Sequence, residues 1–367
     1  MSDIIYKKKI IIIIIFVVNN FIIINIKIIN RFKKSNFKLN IFKKKFNDNP
    51  FIKSFLDNIS IISHYSSNSR KKNIINICMN INNKYFYPVL VSMESALINC
   101  NKKKSLLIYH ILCPGDIKHN ILLKLKSLMD HYPKNLELIY YNMSDIFRKL
   151  ENIYFTQTSY YRLITPIFID LNRIIYLDAD TLIFKDLNQM YQTSFENNYV
   201  LGILDIRSED IDDLGIKSEK YINSGVLLIN LEKIRKDKKD YDLINFISNH
   251  SQIYYDQKIL NYILYPFIGK LPYKFGIWNF PNKLDIKKYS KCLRQMINIT
   301  EIEEAFENPS LFHLVGCWPK PWIQSSIYQG CNIKNCSCLK YRIIWDYYAN
   351  KTDYYEEIIT YYNLKVL

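Results

Sequence analysis

The sequence predicts an α/β domain with a mainly parallel central sheet. Short apolar runs rich in β-branched residues alternate along the chain with segments whose apolar residues recur at helical spacing, and this alternation is typical of parallel βαβ units. The length of 367 residues and the hydrophobic content of 49% are sufficient for one large domain or two small ones. We therefore expect a sheet that is covered by helices.

The predicted elements start near residue 73. In chain order they are a strand at 74–79, a helix at 88–99, a strand at 106–112, a helix at 117–128, and strands at 136–141 and 174–177. The first helix is predicted to be amphipathic, because Val89, Met93, Ala96 and Leu97 fall on one face. A further helix is expected within residues 341–367.

Two carboxylates, Asp178 and Asp180, directly follow the apolar strand at 174–177. A buried carboxylate without a partner is costly or becomes neutral through a shift of its pKa, so this pair requires a cation, backbone donors or water. Ligands of α/β sheets bind at the carboxyl ends of the strands, although a polar turn after a strand would also account for the pattern. The chain has only 8 glycines and no glycine-rich phosphate loop, so the phosphates of a bound nucleotide would have to be held by a metal.

The segment 178–181 (DADT) can also be compared with the D-x-D-x-T motif of the haloacid-dehalogenase-like phosphatases. In that motif the Thr follows the second Asp by two positions, whereas here Leu182 occupies that position and Thr181 comes one place earlier. The phosphatase strand also opens its domain, and this strand comes about a hundred residues into the predicted domain. Both differences argue against a phosphatase.

The formal net charge of +16 is concentrated at the N-terminus. Residues 1–72 contain 15 Lys and Arg against three Asp, a balance of +12, so residues 73–367 carry only +4. A charge excess confined to a tail argues against a nucleic-acid groove in the folded part of the chain. We therefore predict no nucleic-acid partner.

The apolar stretch at residues 10–29 is long enough to span a bilayer, although three Asn and Lys27 interrupt it. Three lysines precede it and no A-x-A-like cleavage site follows closely, so it predicts a signal-anchor, with a cleaved signal peptide as the alternative. The expected protein is membrane-associated and single-pass, in the Golgi or ER lumen of a eukaryote and otherwise on the cytoplasmic face of a membrane.

Six segments, in the same order along the chain, resemble glycosyltransferase family 8, the retaining enzymes that include lipopolysaccharide galactosyl- and glucosyltransferases and glycogenin. They are NKYFYPVLVSMESAL (83–97), SYYRLITPIFI (159–169), IIYLDADTLIFKDL (174–187), YINSGVLLINLEKIR (221–235), YDQKILN (255–261) and HLVGCWPKPW (313–322). The resemblance implies a single Rossmann-like nucleotide-diphospho-sugar transferase domain of the GT-A type. It also implies a hexosyltransferase that moves glucose or galactose from a UDP-sugar to a glycan, glycolipid or glycoprotein acceptor.

The resemblance implies a divalent-metal site formed by Asp178, Asp180 and His313. Two carboxylates and one imidazole, completed by diphosphate oxygens, form an octahedral set that suits Mn²⁺ better than Mg²⁺. His313 is favoured over the other five histidines because Gly316 and the Lys-Pro-Trp at 320–322 follow it. The alternative for His313 is a structural histidine.

Further family positions imply contacts to the nucleotide-sugar. Lys320 would stabilise the leaving diphosphate, although residues 317–319 contain a one-residue insertion relative to the family. Asp256 would hold hydroxyls of the sugar, and Gln257 would lie beneath the anomeric carbon. Because an amide is a poor nucleophile, the resemblance implies same-face attack with the departing phosphate as base. The implied catalytic residues are Gln257, Asp256, Lys320 and Arg162, and the implied nucleotide-sugar contacts are Asn80, Asn82, Tyr85, Arg162, Asp178, Ala179, Asp180, Asn223, Ser224, Gly316 and Lys320.

Three more positions carry expectations. Gly225 would provide close packing beside Asn223 and Ser224, just before an apolar strand, and Asp205 is a further sugar-binding candidate. Family members commonly have an acidic residue where this chain has Asn82. An amide both accepts and donates, so it can pair with N3–H and O4 of uracil, and the predicted base remains uracil, with Tyr85 stacked on it.

The predicted domain organisation has four parts: a signal-anchor at 1–30, a basic polar stem at 31–72, a catalytic domain at 73–325 and a Cys- and Tyr-rich extension at 326–367. The extension contains a C-x₄-C-x-C pattern that is not a usual zinc motif, and disulfides are the other possibility. A transferase-like protein that binds sugar without catalysis is the alternative function. Its signature would be a lost metal ligand, and all three ligand positions are present.

Overall fold

The computed structural model describes residues 59–65, 72–143, 157–205, 215–216, 218–250, 255–278, 299–315, 320–323 and 337–364. Its strands are β1 (Ser60–Tyr65), β2 (Asn73–Asn80), β3 (Ser105–Cys113), β4 (Leu136–Asn142), β5 (Ile174–Leu177), β6 (Thr181–Ile183), β7 (Val200–Leu204), β8 (Ile222–Ile229), β9 (Ile268–Lys270), β10 (Ile277–Trp278) and β11 (Leu311–His313). Its helices are α1 (Phe86–Asn99), α2 (His119–His131), α3 (Thr165–Phe168), α4 (Asn188–Tyr191), α5 (Leu231–Lys236), α6 (Lys239–His250), α7 (Asp256–Leu264), α8 (Ile299–Glu307), α9 (Ser337–Ala349) and α10 (Tyr355–Tyr362).

The central sheet has eight strands in the order β1-β4-β3-β2-β5-β8-β7-β9. The four neighbours β4, β3, β2 and β5 are parallel, while β8 runs antiparallel to both β5 and β7. From β2 the chain first builds outward through β3 and β4, and then returns to place β5 on the other side of β2. The sheet therefore has a topological switch point between β2 and β5, where α/β proteins bind their ligands.

The central strands are buried over nearly their whole length, which explains why most of their residues are apolar. All four residues of β5 and all eight of β8 are buried. Strand β5 belongs to the parallel part of the sheet, where helices cover both faces, so apolar residues are required at successive positions rather than at alternate ones. The predicted strands at 74–79, 106–112, 136–141 and 174–177 are each confirmed within one or two residues.

The helix predicted at 88–99 is confirmed, but its predicted amphipathic character is wrong. Every residue from Phe86 to Leu97 is buried. The reason is that α9 packs on the outer side of α1 and removes it from solvent. The helix expected within residues 341–367 is in fact two helices, α9 and α10, of which the first begins before that range.

A second, three-stranded sheet lies next to the switch point, in the order β10-β11-β6. Strand β11 pairs antiparallel with β6, and in this register His313 lies opposite Thr181. The short β6 follows Asp180 directly in the chain. This small sheet therefore brings a histidine from near the C-terminus next to the two carboxylates that follow β5.

Two predicted boundaries differ from the structure. Strand β1 lies within the predicted stem at 31–72, and it extends the sheet by pairing antiparallel with β4. The Asn223-Ser224-Gly225 segment lies inside β8 rather than before it. The pairing of β8 with β7 explains this, since Ile222 pairs with Leu204 and so extends the strand back to that residue.

The predicted membrane localisation is corrected. Within the residues that the structure describes, there is no helix that combines the length and the apolar character needed to cross a membrane. The stretch at 10–29 lies outside the described residues. The structure thus gives no support to the N-terminal anchor or to a membrane partner, and we retain neither.

Candidate active site

A cleft of about 460 Å³ opens at the switch point of the sheet. One of its walls is the segment that follows β2, and the opposite wall contains the turn after β5 together with Lys320. The residues that line it are Asn80, Asn82, Lys84, Tyr85, Thr158, Ser159, Arg162, Tyr176, Asp178, Ala179, Asp180 and Lys320. Eight of the residues that the sequence predicted as nucleotide-sugar contacts are thus brought together in one cavity.

The turn between β5 and β6 fixes the backbone that carries the two aspartates. The backbone N–H of Asp178 donates to the carbonyl of Gly225 at 2.8 Å, and the Thr181 hydroxyl donates to the carbonyl of Asp178 at 2.9 Å. The Thr181 hydroxyl also lies 2.9 Å from that of Ser92 in α1. These bonds tie the turn to both sides of the fold, so the carboxylates are held by a rigid support.

Asp178, Asp180 and His313 each offer one ligand atom, and these three atoms lie within 4.8 Å of one another. His313 Nε2 is 3.2 Å from an oxygen of Asp180 and 3.7 Å from one of Asp178. Its other ring nitrogen, Nδ1, is buried and has no hydrogen-bond partner within the described residues. The imidazole is only 2% exposed, so its orientation toward the carboxylates is fixed by packing.

Gly225 lies directly beneath this group of three ligands. A Cβ at this position would be 2.2 Å from Cε1 of His313 and 2.5 Å from Oδ2 of Asp178. Glycine is therefore required here for space, because any side chain would push the imidazole and the carboxylate apart. The sequence predicted close packing at Gly225, and the structure identifies the groups that pack there.

The donor set and its spacing fit a divalent metal ion. Carboxylate oxygens and an imidazole nitrogen are ligands that Mn²⁺ accepts, and Mg²⁺ prefers oxygen alone. Burial disfavours the charged form of Asp180, but Lys320 and His313 outweigh this effect and hold the pKa of its carboxyl below the usual value. Asp180 is thus ionised at neutral pH, as a metal ligand must be.

Lys320 lies at the edge of the same group. Its ammonium donates to Oδ2 of Asp180 at 2.6 Å and to the carbonyl of Leu314 at 2.7 Å. The side chain is 18% exposed, so its charge faces both the carboxylate and the cleft. Gly316, which the sequence predicted as a phosphate contact, lies outside the described residues.

Arg162 is a buried cation that connects the cleft to the strands behind it. Its guanidinium pairs with Asp178 at 2.9 Å and with Asp256 at 3.1 Å, and it donates to the carbonyl of Ser224 at 2.6 Å. Burial alone would lower the pKa of Arg162, but these carboxylates outweigh burial and raise it above its usual value. Two aspartates thus balance the charge of an arginine that lies within the apolar segment 160–167.

Tyr176 lines the cleft but was not predicted from the sequence. Its hydroxyl donates to Oδ1 of Asp178 at 2.9 Å, and its ring lies 4.4 Å from the guanidinium carbon of Arg162. Tyr176 and Asp178 are two positions apart, so they fall on the same face of a strand. This spacing could have predicted the contact from the sequence, because the hydroxyl of a tyrosine within an apolar run needs a hydrogen-bond partner.

Gln257 is held by three hydrogen bonds behind the cleft. Its carbonyl oxygen accepts from the amide of Asn223 at 3.0 Å and from the backbone N–H of Ser224 at 3.1 Å. Its amide nitrogen donates to Asp205 at 2.7 Å. Because a backbone N–H can only donate, these contacts define which end of the amide faces β8.

Asp256, the first residue of α7, is only 6% exposed. Burial raises the pKa of its carboxyl despite the nearby Arg162. It accepts hydrogen bonds from Arg162 and from the Ser224 hydroxyl. In this structure Asp256 therefore supports Arg162, which itself faces the cleft.

The opposite wall carries the predicted base-binding residues. The side-chain carbonyl of Asn82 accepts from the backbone N–H groups of Lys84 and Tyr85, at 3.0 and 2.8 Å, in the turn that starts α1. Asn80 donates to the carbonyl of Thr158 at 2.6 Å. The Asn82 carbonyl is thus already engaged by the backbone, and its amide NH₂ is the group left for a ligand.

A sequence model of glycosyl transferase family 8 matches residues 76–326, well over half of the chain. The chain belongs to glycosyltransferase family 8. General stress protein A of Bacillus subtilis (strain 168) is 26% identical over 266 residues, which cover 69% of this chain and 89% of that protein. Lipopolysaccharide 1,2-glucosyltransferase of Escherichia coli is 25% identical over 264 residues, which cover 69% of this chain and 74% of that protein.

The fold of this family 8 member agrees with a solved structure. The galactosyltransferase LgtC, in complex with donor and acceptor sugar analogs, has a TM-score of 0.58 at 20% identity, over 76% of this chain and 96% of LgtC. This likeness supports the fold alone. The predicted single α/β domain of the GT-A type is confirmed, and so is the prediction of an enzyme of the hexosyltransferase class.

Proposed function

We propose that this chain is a retaining, Mn²⁺-dependent hexosyltransferase that moves glucose or galactose from a UDP-sugar to a glycan, glycolipid or glycoprotein acceptor. The observation that carries the proposal is the arrangement at the cleft: three metal-ligand atoms lie within 4.8 Å of one another beside a lysine and an arginine. A diphosphate is the chemical group that needs both a divalent cation and fixed positive side chains.

Asp178, Asp180 and His313 are the residues that would hold the metal. When bound, Mn²⁺ would supply positive charge to neutralise the diphosphate of the nucleotide-sugar. Mg²⁺ is the alternative ion, because two of the three residues that would bind it are carboxylates. Gly225 keeps the space that allows these ligands to converge.

Lys320 and Arg162 would act on the charge of the substrate. Lys320 lies on the cleft wall and would stabilise the negative charge that develops on the departing diphosphate. Arg162 is held by Asp178 and Asp256 and cannot lose its proton at any ordinary pH. It would bind the nucleotide-sugar without reorganising, since its side chain is already fixed by packing and ion pairs.

Gln257 supports retention without a covalent intermediate. An amide is a poor nucleophile, and both ends of this amide are already engaged by Asn223, Ser224 and Asp205. It would therefore serve as a neutral surface near the sugar. Same-face attack by the acceptor hydroxyl, with the proton passing to the departing phosphate, is the route consistent with this geometry.

The proposal is tested by screening UDP-glucose, UDP-galactose and the corresponding GDP-sugars with Mn²⁺, and scoring release of the nucleoside diphosphate with and without acceptor. We expect UDP to be released from a UDP-sugar, and we expect this release to stop when chelator is added in excess. Full turnover in chelator would refute the metal site, and a preference for GDP-sugars would refute the base assignment. The anomeric proton in the NMR spectrum of the product tests retention, since a β-linked product would exclude it.

A further inference from the structure

The two C-terminal helices, α9 and α10, lie after the family-matched region and contact both walls of the cleft. The family match ends at residue 326, whereas α9 starts at Ser337 and α10 ends at Tyr362. Neither helix contributes a residue to the cleft lining. They therefore act on the cleft from outside it, through hydrogen bonds to the backbone and through aromatic packing.

Helix α9 holds the wall that carries Lys320. The guanidinium of Arg342, itself only 3% exposed, donates to the carbonyl of Pro321 at 2.6 Å. Trp345, 1% exposed, packs its ring 5.8 Å from that of Trp322. Pro321 and Trp322 directly follow Lys320 in the chain, so these two contacts fix the backbone from which the Lys320 side chain extends.

Helix α10 holds the opposite wall. The hydroxyl of Tyr362 donates to the backbone carbonyl of Lys84 at 3.1 Å. Lys84 and Tyr85 belong to the turn whose N–H groups bind the Asn82 side chain. The ring of Tyr85 also lies 6.3 Å from that of Trp322, so the two walls meet beneath the same helix pair.

Separate contacts anchor the helix pair on the body of the domain. The Asn99 amide in α1 donates to the hydroxyl of Tyr348 at 2.9 Å, and the hydroxyl of Tyr354 lies 3.0 Å from that of Ser127 in α2. Glu357 forms an ion pair with Lys124. The pair is thus fixed to α1 and α2 independently of its contacts to the cleft.

We propose that α9 and α10 form a clasp that sets the distance between the two walls of the nucleotide-sugar cleft, with Arg342 and Tyr362 as its positioning residues. The proposal rests on the assignment of this cleft as the UDP-sugar site. Neither residue lines the cleft. Arg342 holds the backbone of Pro321 and thereby positions Lys320. Tyr362 holds the backbone of Lys84 and thereby positions the turn that binds the Asn82 side chain.

The test compares two substitutions at the cleft contacts with two at the anchoring contacts. Arg342→Met and Tyr362→Phe remove the bonds to Pro321 and Lys84. Tyr348→Phe and Tyr354→Phe each remove one hydroxyl at an anchoring contact of the same helix pair. Binding of UDP in the presence of Mn²⁺ is measured by isothermal titration on the full chain, which separates the affinity from the fraction of protein competent to bind.

We expect UDP affinity to fall about tenfold in Arg342→Met and about threefold to fivefold in Tyr362→Phe, since each loses one hydrogen bond that positions the site. The two anchoring variants should keep wild-type affinity within about twofold, even where they bind with reduced stoichiometry or melt earlier. Tyr362→Phe and Tyr354→Phe each remove only a hydroxyl. Comparing their UDP affinities therefore tests the clasp even if Arg342→Met fails to fold.

If the wild-type chain binds UDP, two results would overturn the clasp. Wild-type UDP affinity in both Arg342→Met and Tyr362→Phe would mean that the helix pair contributes to stability alone. A fall in affinity that is as large in Tyr354→Phe as in Tyr362→Phe would show that any loosening of the helices disturbs the site. A wild-type chain that fails to bind UDP would instead refute the proposed UDP-sugar site, and the clasp with it.

Discussion

A single added methyl group at Gly225 would disturb the proposed metal site. Its Cα faces the imidazole of His313 and the carboxylate of Asp178, and the space for a methyl group is already filled. Both neighbours are held on their other sides, His313 by burial and Asp178 by Arg162 and Tyr176. They can move only by giving up these contacts.

Gly225→Ala should therefore reduce turnover by about a hundredfold, because displacing a reacting or binding group by about 1 Å has this effect. Mn²⁺ affinity, measured by titration calorimetry, should fall as well. Gly202→Ala is a suitable control, since its Cβ would meet the terminal methyl of Ile222 at 2.6 Å in the same sheet. It should lower the melting temperature and leave Mn²⁺ affinity unchanged. Equal Mn²⁺ affinity in wild type and Gly225→Ala would contradict our account of the site.

Lys320 can be tested against a second lysine of the cleft. Lys320→Ala should lower kcat by roughly a hundred- to a thousandfold, because a charge that stabilises the transition state is lost. Lys84→Ala removes a cleft-lining lysine whose ammonium lies 5.9 Å from the ring of Tyr85, and it should cost less than about tenfold. Steady-state kinetics with a UDP-sugar would show the difference. Similar kcat values for the two variants would exclude the role of Lys320 in departure of the diphosphate.

At the level of elements, α6 carries a buried acid close to its start. Asp240 is 2% exposed, and burial raises the pKa of its carboxyl to about 6. In the unfolded chain this pKa is about 4. The folded state is therefore destabilised by the charged form above pH 6, and the penalty disappears as the pH falls towards 4.

Asp240→Asn should increase the free energy of unfolding at pH 8 by roughly 1–3 kcal/mol, and the gain should shrink as the pH is lowered towards 4. The amide oxygen of Asn can still accept from the backbone N–H of Tyr241, as the carboxylate does at 3.1 Å. Urea denaturation at several pH values measures the effect. The control is Asp242→Asn, at the next acidic residue of α6, whose side chain is half-exposed. It should give no comparable increase in the free energy of unfolding at pH 8. A gain in Asp240→Asn that is constant with pH would show that burial of its charge is not the cause.

The strands were predictable because their sequences alone specify burial. The sequences of β2, β3, β4 and β5 are mostly apolar, β5 without interruption, and no helical period competes with them. Sequence also predicted which residues meet at the cleft, through the resemblance to a family. The sequence-based prediction failed where the structure depends on a distant partner. Helix α1 is buried on all sides because α9 covers it, and β8 includes Asn223 because its pairing with β7 reaches back to Ile222.

At the scale of the whole molecule, strand β1 decides where the folded unit begins. It covers the free edge of β4. Two contacts support its C-terminal end: His64 lies 3.7 Å from Glu137, and the ring of Tyr65 packs against that of Tyr140. An uncovered sheet edge exposes unpaired backbone groups and favours aggregation. The unit that should behave as an intact domain therefore starts before residue 60.

A chain from which residues 1–58 are deleted should remain monodisperse and active, whereas deletion of 1–72 should lower the melting temperature and promote aggregation. Size-exclusion chromatography and thermal melts of the two truncated chains test this. A stable, monodisperse 73–367 chain would show that β1 is dispensable and that the boundary predicted from the sequence was adequate.

The pairing of β11 with β6 also has a consequence for the order in which the protein folds. Thr181 and His313 pair although more than a hundred residues separate them, and closing so long a loop is entropically costly until the strands between are in place. We therefore expect His313, the third residue of the proposed metal site, to join the two aspartates only after the strands between them have formed. Binding of a divalent ion to all three residues would then stabilise the folded chain and slow its unfolding, rather than assist an early step of folding.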